Sequence, residues 1–177
     1  ATLQTSAPAC GDGKVFIATF DGYVRAYDAL SGAALWARKI SNRPFQCPIT
    51  YYEGRIYVGE GGSSGEINRY LCLNADGNVV WEYTSETVGY LWSGASVVGD
   101  YLVFANHDGI LTSLNRTDGT LVDHLNLHDL RPDAGRARAS VAYTGGFVYT
   151  TSESGLDSGY LWKIGFDPAS GRFDPRS

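Results

Sequence analysis

Residues 20–39 read FDGYVRAYDALSGAALWARK, with turn signals at Asp21-Gly22 and Ser31-Gly32 around two aromatic-bearing runs. Taken alone, Asp21, Arg25, Asp28 and Trp36 could gather round a ligand. Set against the rest of the chain, they read as one period of a repeat, and self-similarity is the first thing to look for. The period extends upstream through Pro8 and GKVFIAT (13–19), and continues as YVRAYDA (23–29) and AALWARKI (33–40). After Pro48 come GRIYVGE (54–60), NRYLCLNA (68–75) and NVVWEYT (78–84). A third copy is SGASVVGDYLVFANHDG (93–109), ILTSLNRTDG (110–119) and TLVDHLNL (120–127). The fourth is ASVAYTGGFVYTTSESGLDSG (139–159), YLWKIGFDPASG (160–171) and the stub RFDPRS. Asp28, Asn74, Asn115 and Asp167 hold the same place in each copy, 46, 41 and 52 residues apart, and Gly32, Gly77, Gly119 or Gly171 follows each.

Each copy reads as four short strands. Asp or Asn can bond its own backbone two residues on, and Gly supplies the positive φ that such a turn needs. Alternation in the second and third strands, as in Val15 and Ile17 against Phe16, fits a sheet covered on both faces. A unit of ~40–45 residues with four antiparallel strands is a propeller blade. The predicted fold is therefore all-β: a β-propeller segment of about four blades, over 6–40, 45–84, 92–127 and 137–177. No blade buries both its faces alone, so stability comes from stacking.

The pattern G-x-V-[FY]-[IV]-x-[TG]…D-G-x-[VL]-x-A-x-D-A-x-[ST]-G-x-x-L-W resembles the pyrroloquinoline-quinone-type propeller repeat. That repeat is shared by quinoprotein dehydrogenases and by non-enzymatic scaffolds such as the propeller lipoprotein of outer-membrane assembly. The first copy matches through Val15, Asp21, Gly22, Ala26, Asp28, Gly32 and Trp36; the second keeps Gly77 and Trp81; the later two have Asp123 and Pro175 at about the Trp place. The resemblance implies that Trp36 and Trp81 are packing residues wedged between blades. It also implies seven- or eight-bladed rings. Four copies would be part of a longer chain, half of a ring completed by a second chain in a homodimer, or a compact four-bladed closure. Residues 1–6, ATLQTS, are a candidate to complete the last blade beside the weak strand RFDPRS.

A quinone-dependent enzyme would need more than the repeat: by resemblance a Ca²⁺ site of Glu, Asn and Asp, a catalytic Asp, an adjacent Cys pair and a Trp stacked on the quinone. No two of Cys10, Cys47 and Cys72 are adjacent. LNADGN (73–78) and NRTDG (115–119) lack the alternating oxygens and closing Glu of a Ca²⁺ loop. GEGGSSGE (59–66) lacks the Lys of a phosphate-binding loop, and the NRT sequon at 115–117 coincides with a turn. The expectation is a scaffold with no cofactor; pyrroloquinoline quinone and Ca²⁺ belong only to the alternative, a segment of a quinone-dependent alcohol or sugar dehydrogenase.

The unrepeated loops hold the candidate binding residues. SNRPFQC (41–47), SETVGYLWSG (85–94) and DLRPDAGRARAS (129–140) join one blade to the next, where propellers commonly meet partners at the channel mouth. They carry Arg43, Phe45, Tyr90, Trp92, Arg131, Arg136 and Arg138, a rim suited to a carboxylate, a sugar or an acidic peptide. The alternative is that these arginines pair within their loops and Trp92 packs on a blade.

Composition agrees with a packed β protein: of 177 residues 44% are apolar, with 22 Gly and 12 Tyr. A net charge of −5 without a basic block argues against a nucleic-acid partner, and no apolar run is long enough to span a membrane. The chain has no Met and begins at Ala1, so it is read as a processed protein or an excised piece; with the scaffold reading goes the expectation of a protein outside the cytoplasm, periplasmic, secreted or at the cell surface. The three Cys are expected as buried or semi-buried thiols, with a Cys10–Cys47 disulfide as the alternative. His124 and His128, ~13 Å apart along a strand, and His107 are all expected to face solvent.

Overall fold

The computed structural model describes residues 6–62, 66–85 and 89–176. Residues 1–5 of the proposed completing strand lie outside them. Four sheets of four antiparallel strands follow one another. The first comprises β1 (Ala9–Gly11), β2 (Lys14–Ala18), β3 (Tyr23–Asp28) and β4 (Ala34–Lys39). The second comprises β5 (Thr50–Tyr52), β6 (Arg55–Gly59), β7 (Asn68–Asn74) and β8 (Val79–Ser85). The third is β9 (Ser96–Val98), β10 (Tyr101–Ala105), β11 (Ile110–Asn115) and β12 (Leu121–Asn126), followed by one helical turn, α1 (Leu127–Leu130). The fourth is β13 (Ala142–Thr144), β14 (Phe147–Ser154), β15 (Ser158–Asp167) and β16 (Arg172–Asp174). In each sheet the strands lie in chain order, the meander of a propeller blade. The chain divides into two compact units, one ending at Trp92 and the other beginning at Ser93.

The turn between third and fourth strands is built as the repeat predicts. Asp28 Oδ1 accepts the N–H of Leu30 (3.2 Å) and Ser31 (2.8 Å), and Asn74 Oδ1 those of Asp76 and Asn78, both at 3.0 Å. Asn115 accepts from Thr117 at 2.9 Å, and Asp167 from Ala169 at 3.0 Å. The closing glycines have φ between 71° and 82°. Just beyond this turn, β4, β8 and β12 each carry a bulge, which skips Leu35, Val80 and Val122 in the pairing. Register puts Trp36 opposite Ala26, Trp81 opposite Cys72 and Asp123 opposite Ser113. In the fourth sheet the corresponding residue is Asp174, opposite Gly165, and not Pro175, because β16 has no bulge to shift it.

Trp36 is a wedge between sheets, as the resemblance implies. Its indole N–H donates to Ala75 O of the next sheet at 3.1 Å, and its ring lies 6.1 Å from that of Phe16. A Cβ on Gly77 (φ 82°) would come within 2.9 Å of the indole, so the turn admits the ring only because residue 77 has no side chain. In the second unit Asp123 cannot do this; its carboxylate accepts the Phe173 N–H at 2.9 Å instead. Tyr101 of β10 takes over the aromatic role. Its hydroxyl donates to Ala169 O at 3.1 Å, and a Cβ on Gly171 would sit 2.4 Å from its ring.

In the first unit the buried face of Phe16, Ala18, Val24 and Ala26 meets Tyr51, stacked on Phe16 with ring centroids 5.1 Å apart. In the second unit Val103, Ala105, Leu111, Val148, Ile164 and Phe166 form one core, with Tyr101, Tyr143 and Phe173 against it. Cys47 and Cys72 are buried free thiols and Cys10 an exposed one, so the Cys10–Cys47 disulfide does not form. His128 is not on a strand. β12 ends at Asn126, whose side chain accepts the His128 N–H at 3.0 Å and starts α1.

Candidate functional site

Asp21 and Arg25, the pair that first suggests a ligand site, satisfy each other. Arg25 donates to Asp21 Oδ2 at 2.9 Å, and Thr19 Oγ1 bonds both groups. Arg25 and Thr19 together hold the Asp21 carboxyl far below the usual range. Thr19 belongs to a set that residue identity hides. Five positions after the start of each second strand stand Thr19, Glu60, Asn106 and Ser152, exposed by only 6%, 1%, 3% and 5%. Glu60 binds the Arg69 backbone N–H (2.9 Å) and side-chain Nε (3.0 Å). Burial would raise its carboxyl, but the bonds from Arg69 and Ser41 outweigh it and hold it low. Asn106 accepts the Ile110 N–H, and Ser152 Oγ the Trp162 indole N–H, both at 2.9 Å. The signal was a polar residue closing each apolar second strand, and the four differ in type.

Two of these positions anchor the loops of interest. The lead-in loop of the second sheet makes an isolated bridge from Phe45 to Glu60, and Gly61 N–H donates to Pro44 O at 2.7 Å. The lead-in loop of the fourth bridges Ala137 to Ser152, and Glu153 N–H donates to Arg136 O at 3.0 Å. Beside each bridge lies a depression. The first, about 610 Å³, is lined by Arg43, Gln46, Gly61, Gly62, Glu66 and Leu91 among others. The second, about 400 Å³, is lined by Arg136, Arg138, Ser152, Glu153, Tyr160 and Leu161 among others.

Arg43 is ion-paired with Glu66, and Arg138 with Glu153 at 3.0 Å. Arg131 lies over the Tyr160 ring at 5.5 Å, and Arg136 is exposed. Phe45 and Tyr90 are not rim residues. Phe45 is fully enclosed, and Tyr90 packs edge-on to Tyr70 at 4.9 Å, against Gly59, where a Cβ would meet its ring at 2.6 Å. Trp92 is 39% exposed, with its backbone at φ 62°, a strained setting for a bulky residue, and its N–H donates to Gln46 O at 3.2 Å. Arg43, Phe45, Tyr90 and Trp92 thus belong to the first unit, and Arg131, Arg136 and Arg138 to the second. His107 is buried, contrary to the expected exposure, and burial, then Arg138 and Arg136, hold its imidazole below the ordinary value. His124 and His128 face solvent.

A family model described as outer membrane protein assembly factor BamB, built on the pyrroloquinoline-quinone-type repeat, matches residues 2–159. The chain belongs to this family. It is 29% identical to the BamB of Moranella endobia (strain PCIT) over 169 residues, which is 89% of this chain and 42% of that protein. It is 28% identical to the BamB of Yersinia pestis over 115 residues, 65% of this chain and 27% of that one. The chain therefore spans less than half the length of these relatives. The fold is also that of the computationally designed protein Ika4 (TM-score 0.71, 14% identity, 93% of this chain and 92% of that one). The quinohemoprotein alcohol dehydrogenase ADHIIG from Pseudomonas putida HK5 matches at TM-score 0.65 and 14% identity, over 94% of this chain and 33% of that one.

Among the described residues no three His, Cys, Asp or Glu side chains are placed to share an ion. Cys47 bonds the Gly59 backbone, and Trp36 is committed to the Ala75 turn.

Proposed function

We propose that this chain is a non-catalytic β-propeller scaffold that works outside the cytoplasm, in outer-membrane protein assembly, and contacts a protein partner through its lead-in loops. The observation that carries the reading is the shared construction of the two depressions. Each sits beside a loop held by a backbone bridge to a buried polar residue; the first is lined by one arginine, Arg43, and the second by two, Arg136 and Arg138. Rigid strands that position variable loops are a common arrangement for binding surfaces. Arg43 and Arg138 can exchange their glutamates for a partner's carboxylates, while exposed Arg136 offers a planar fork for bidentate recognition. Trp92 adds exposed aromatic surface in the first unit. An acidic peptide suits this chemistry, and a small anionic or sugar ligand would use the same groups. The reading requires no cofactor.

A photo-crosslinking amino acid placed at Arg43 or Arg136 in cells that export the chain tests this. Adducts with proteins of the outer-membrane assembly machinery are expected at both positions. None is expected at Leu30, which is fully exposed on the β3–β4 turn. Arg43→Ala with Arg136→Ala should abolish capture by the same proteins. Equal adducts at all three positions, or undiminished capture by the double variant, would overturn the proposal.

A further inference from the structure

The fourth sheet differs from the other three at its outer edge. β4, β8 and β12 are six, seven and six residues long and run along nearly all of their inner neighbours. β16 has three residues and pairs only with Gly165, Phe166 and Asp167. Residues Ser158–Ile164 of the ten-residue β15 therefore have β14 on one side and no strand on the other among the described residues. The short pairing has a local cause. Asp174 Oδ1 accepts the Arg176 N–H at 3.0 Å and turns the chain off the sheet, and Pro175 between them has no N–H to offer.

The direction of the unpaired groups follows from the ladder. Phe166 N–H donates to Gly146 O at 2.8 Å, toward β14. N–H and C=O of one residue point to the same side and alternate along an antiparallel strand, so those of Gly159, Leu161 and Lys163 point away from β14. All three residues are exposed, Leu161 by 76%. Lys163 extends along the same face as Leu161, with Nζ 3.8 Å from the centroid of the Phe147 ring. Tyr160 and Trp162, 5.4 Å apart, line the other face.

We propose that this edge, from Gly159 to Lys163, receives an extended strand of a partner protein by main-chain hydrogen bonding, and that the strand sets an acidic residue beside Lys163 and an apolar one beside Leu161. Strand addition draws its affinity from main-chain bonds and its selectivity from alternate side chains. Cross-strand neighbours of opposite charge stabilise a sheet and like charges destabilise it. A Lys on an edge discourages indiscriminate pairing, so Lys163 makes this edge selective for a strand bearing an acid. The inference goes beyond the lead-in-loop reading: the edge shares Gly159 and Leu161 with the lining of the second depression, but it depends on main-chain atoms and Lys163 where that reading depends on arginine side chains, so the peptide-charge test and the arginine variants can fail separately.

The test is amide hydrogen exchange with a synthetic peptide of alternating valine and threonine around one glutamate. Saturating peptide should slow exchange at Gly159, Leu161 and Lys163, and a peptide with lysine in place of the glutamate should bind about tenfold more weakly. Lys163→Glu should reverse that preference. Leu161→Pro deletes an N–H directed away from β14, keeps the β14–β15 ladder, and should abolish binding. If Leu161→Pro fails to fold, the charge reversal decides alone. Equal binding of both peptides or protection at other amides would overturn the proposal. So would slow exchange at these three amides before peptide is added, since a second copy or another part of the chain would then hold the edge.

Discussion

Replacing Trp36 tests whether adjacent sheets in the first unit are joined by one ring. A Trp side chain buries ~150–250 Å² when enclosed. Trp36 is half-buried, so ~100–150 Å² at ~25 cal/mol per Å² gives ~2.5–4 kcal/mol. The indole bond to Ala75 O adds ~1 kcal/mol. Trp36→Ala should therefore cost ~3.5–5 kcal/mol in urea unfolding, and Trp36→Phe, which keeps most of the ring and loses the donor, ~1–2 kcal/mol. Gly77→Ala should also destabilise, because its Cβ meets the indole at 2.9 Å and its φ is 82°. Only the first of these penalties depends on Trp36. In the double variant the clash with the indole is gone, while the close approach to Arg38 Cγ (2.8 Å) and the backbone strain of ~1 kcal/mol remain, so the two substitutions should combine to less than their sum. Strict additivity, or equal losses for Trp36→Phe and Trp36→Ala, would refute the wedge.

Three further outcomes follow. Tyr101→Phe should lower the unfolding free energy of the second unit by ~1 kcal/mol through the lost bond to Ala169 O, and Tyr101→Ala should cost more, as read by denaturant titration. Exposed Cys10 should react with a thiol reagent at pH 8 in the folded protein. Cys47 and Cys72, both pushed up to about 12 by burial, should react only on unfolding, which mass spectrometry of labelled peptides would show. Asp21 has a depressed carboxyl held by Arg25, so its contribution is present above the unfolded value of ~3.9 and is lost as pH falls toward the folded value. Arg25→Ala should flatten the acid limb of the stability–pH curve below about pH 4 by ~0.5 kcal/mol, a small effect because the pair is partly open to water.

The repeat made the skeleton legible because the turns it uses have few chemical solutions. Asp28, Asn74, Asn115 and Asp167 could be placed with their glycines before any coordinates, and Trp36 followed from its position in the period. The second-unit lock escaped because Tyr101 comes from β10, whereas the Trp it replaces comes from an outer strand; comparing copies position by position looks for an aromatic at Asp123 and finds none. Phe45, Tyr90 and His107 escaped for another reason. They lie in connections, where no alternation marks which side chains turn inward, and their burial is set by contacts with Glu60, Gly59 and the Arg136–Arg138 loop. Thr19, Glu60, Asn106 and Ser152 share a place without sharing a residue type. Of the candidate rim, the arginines were readable from composition, but their glutamate partners come from other strands and depend on the folded loops.

The seat of each aromatic lock lies downstream of the residue that fills it. Trp36 reaches Ala75, 39 positions later, and Tyr101 reaches Ala169, 68 positions later. In a chain synthesised from its amino terminus, domains fold as their sequence emerges, but here the first sheet is translated with its indole still without a socket. Its outer strand gains its cross-sheet tie only once the ribosome has delivered the next turn. Vectorial synthesis thus sets an order: the first sheet matures when the second arrives and the third when the fourth does, and a stall between Trp36 and Ala75 leaves a large ring exposed to any apolar surface nearby.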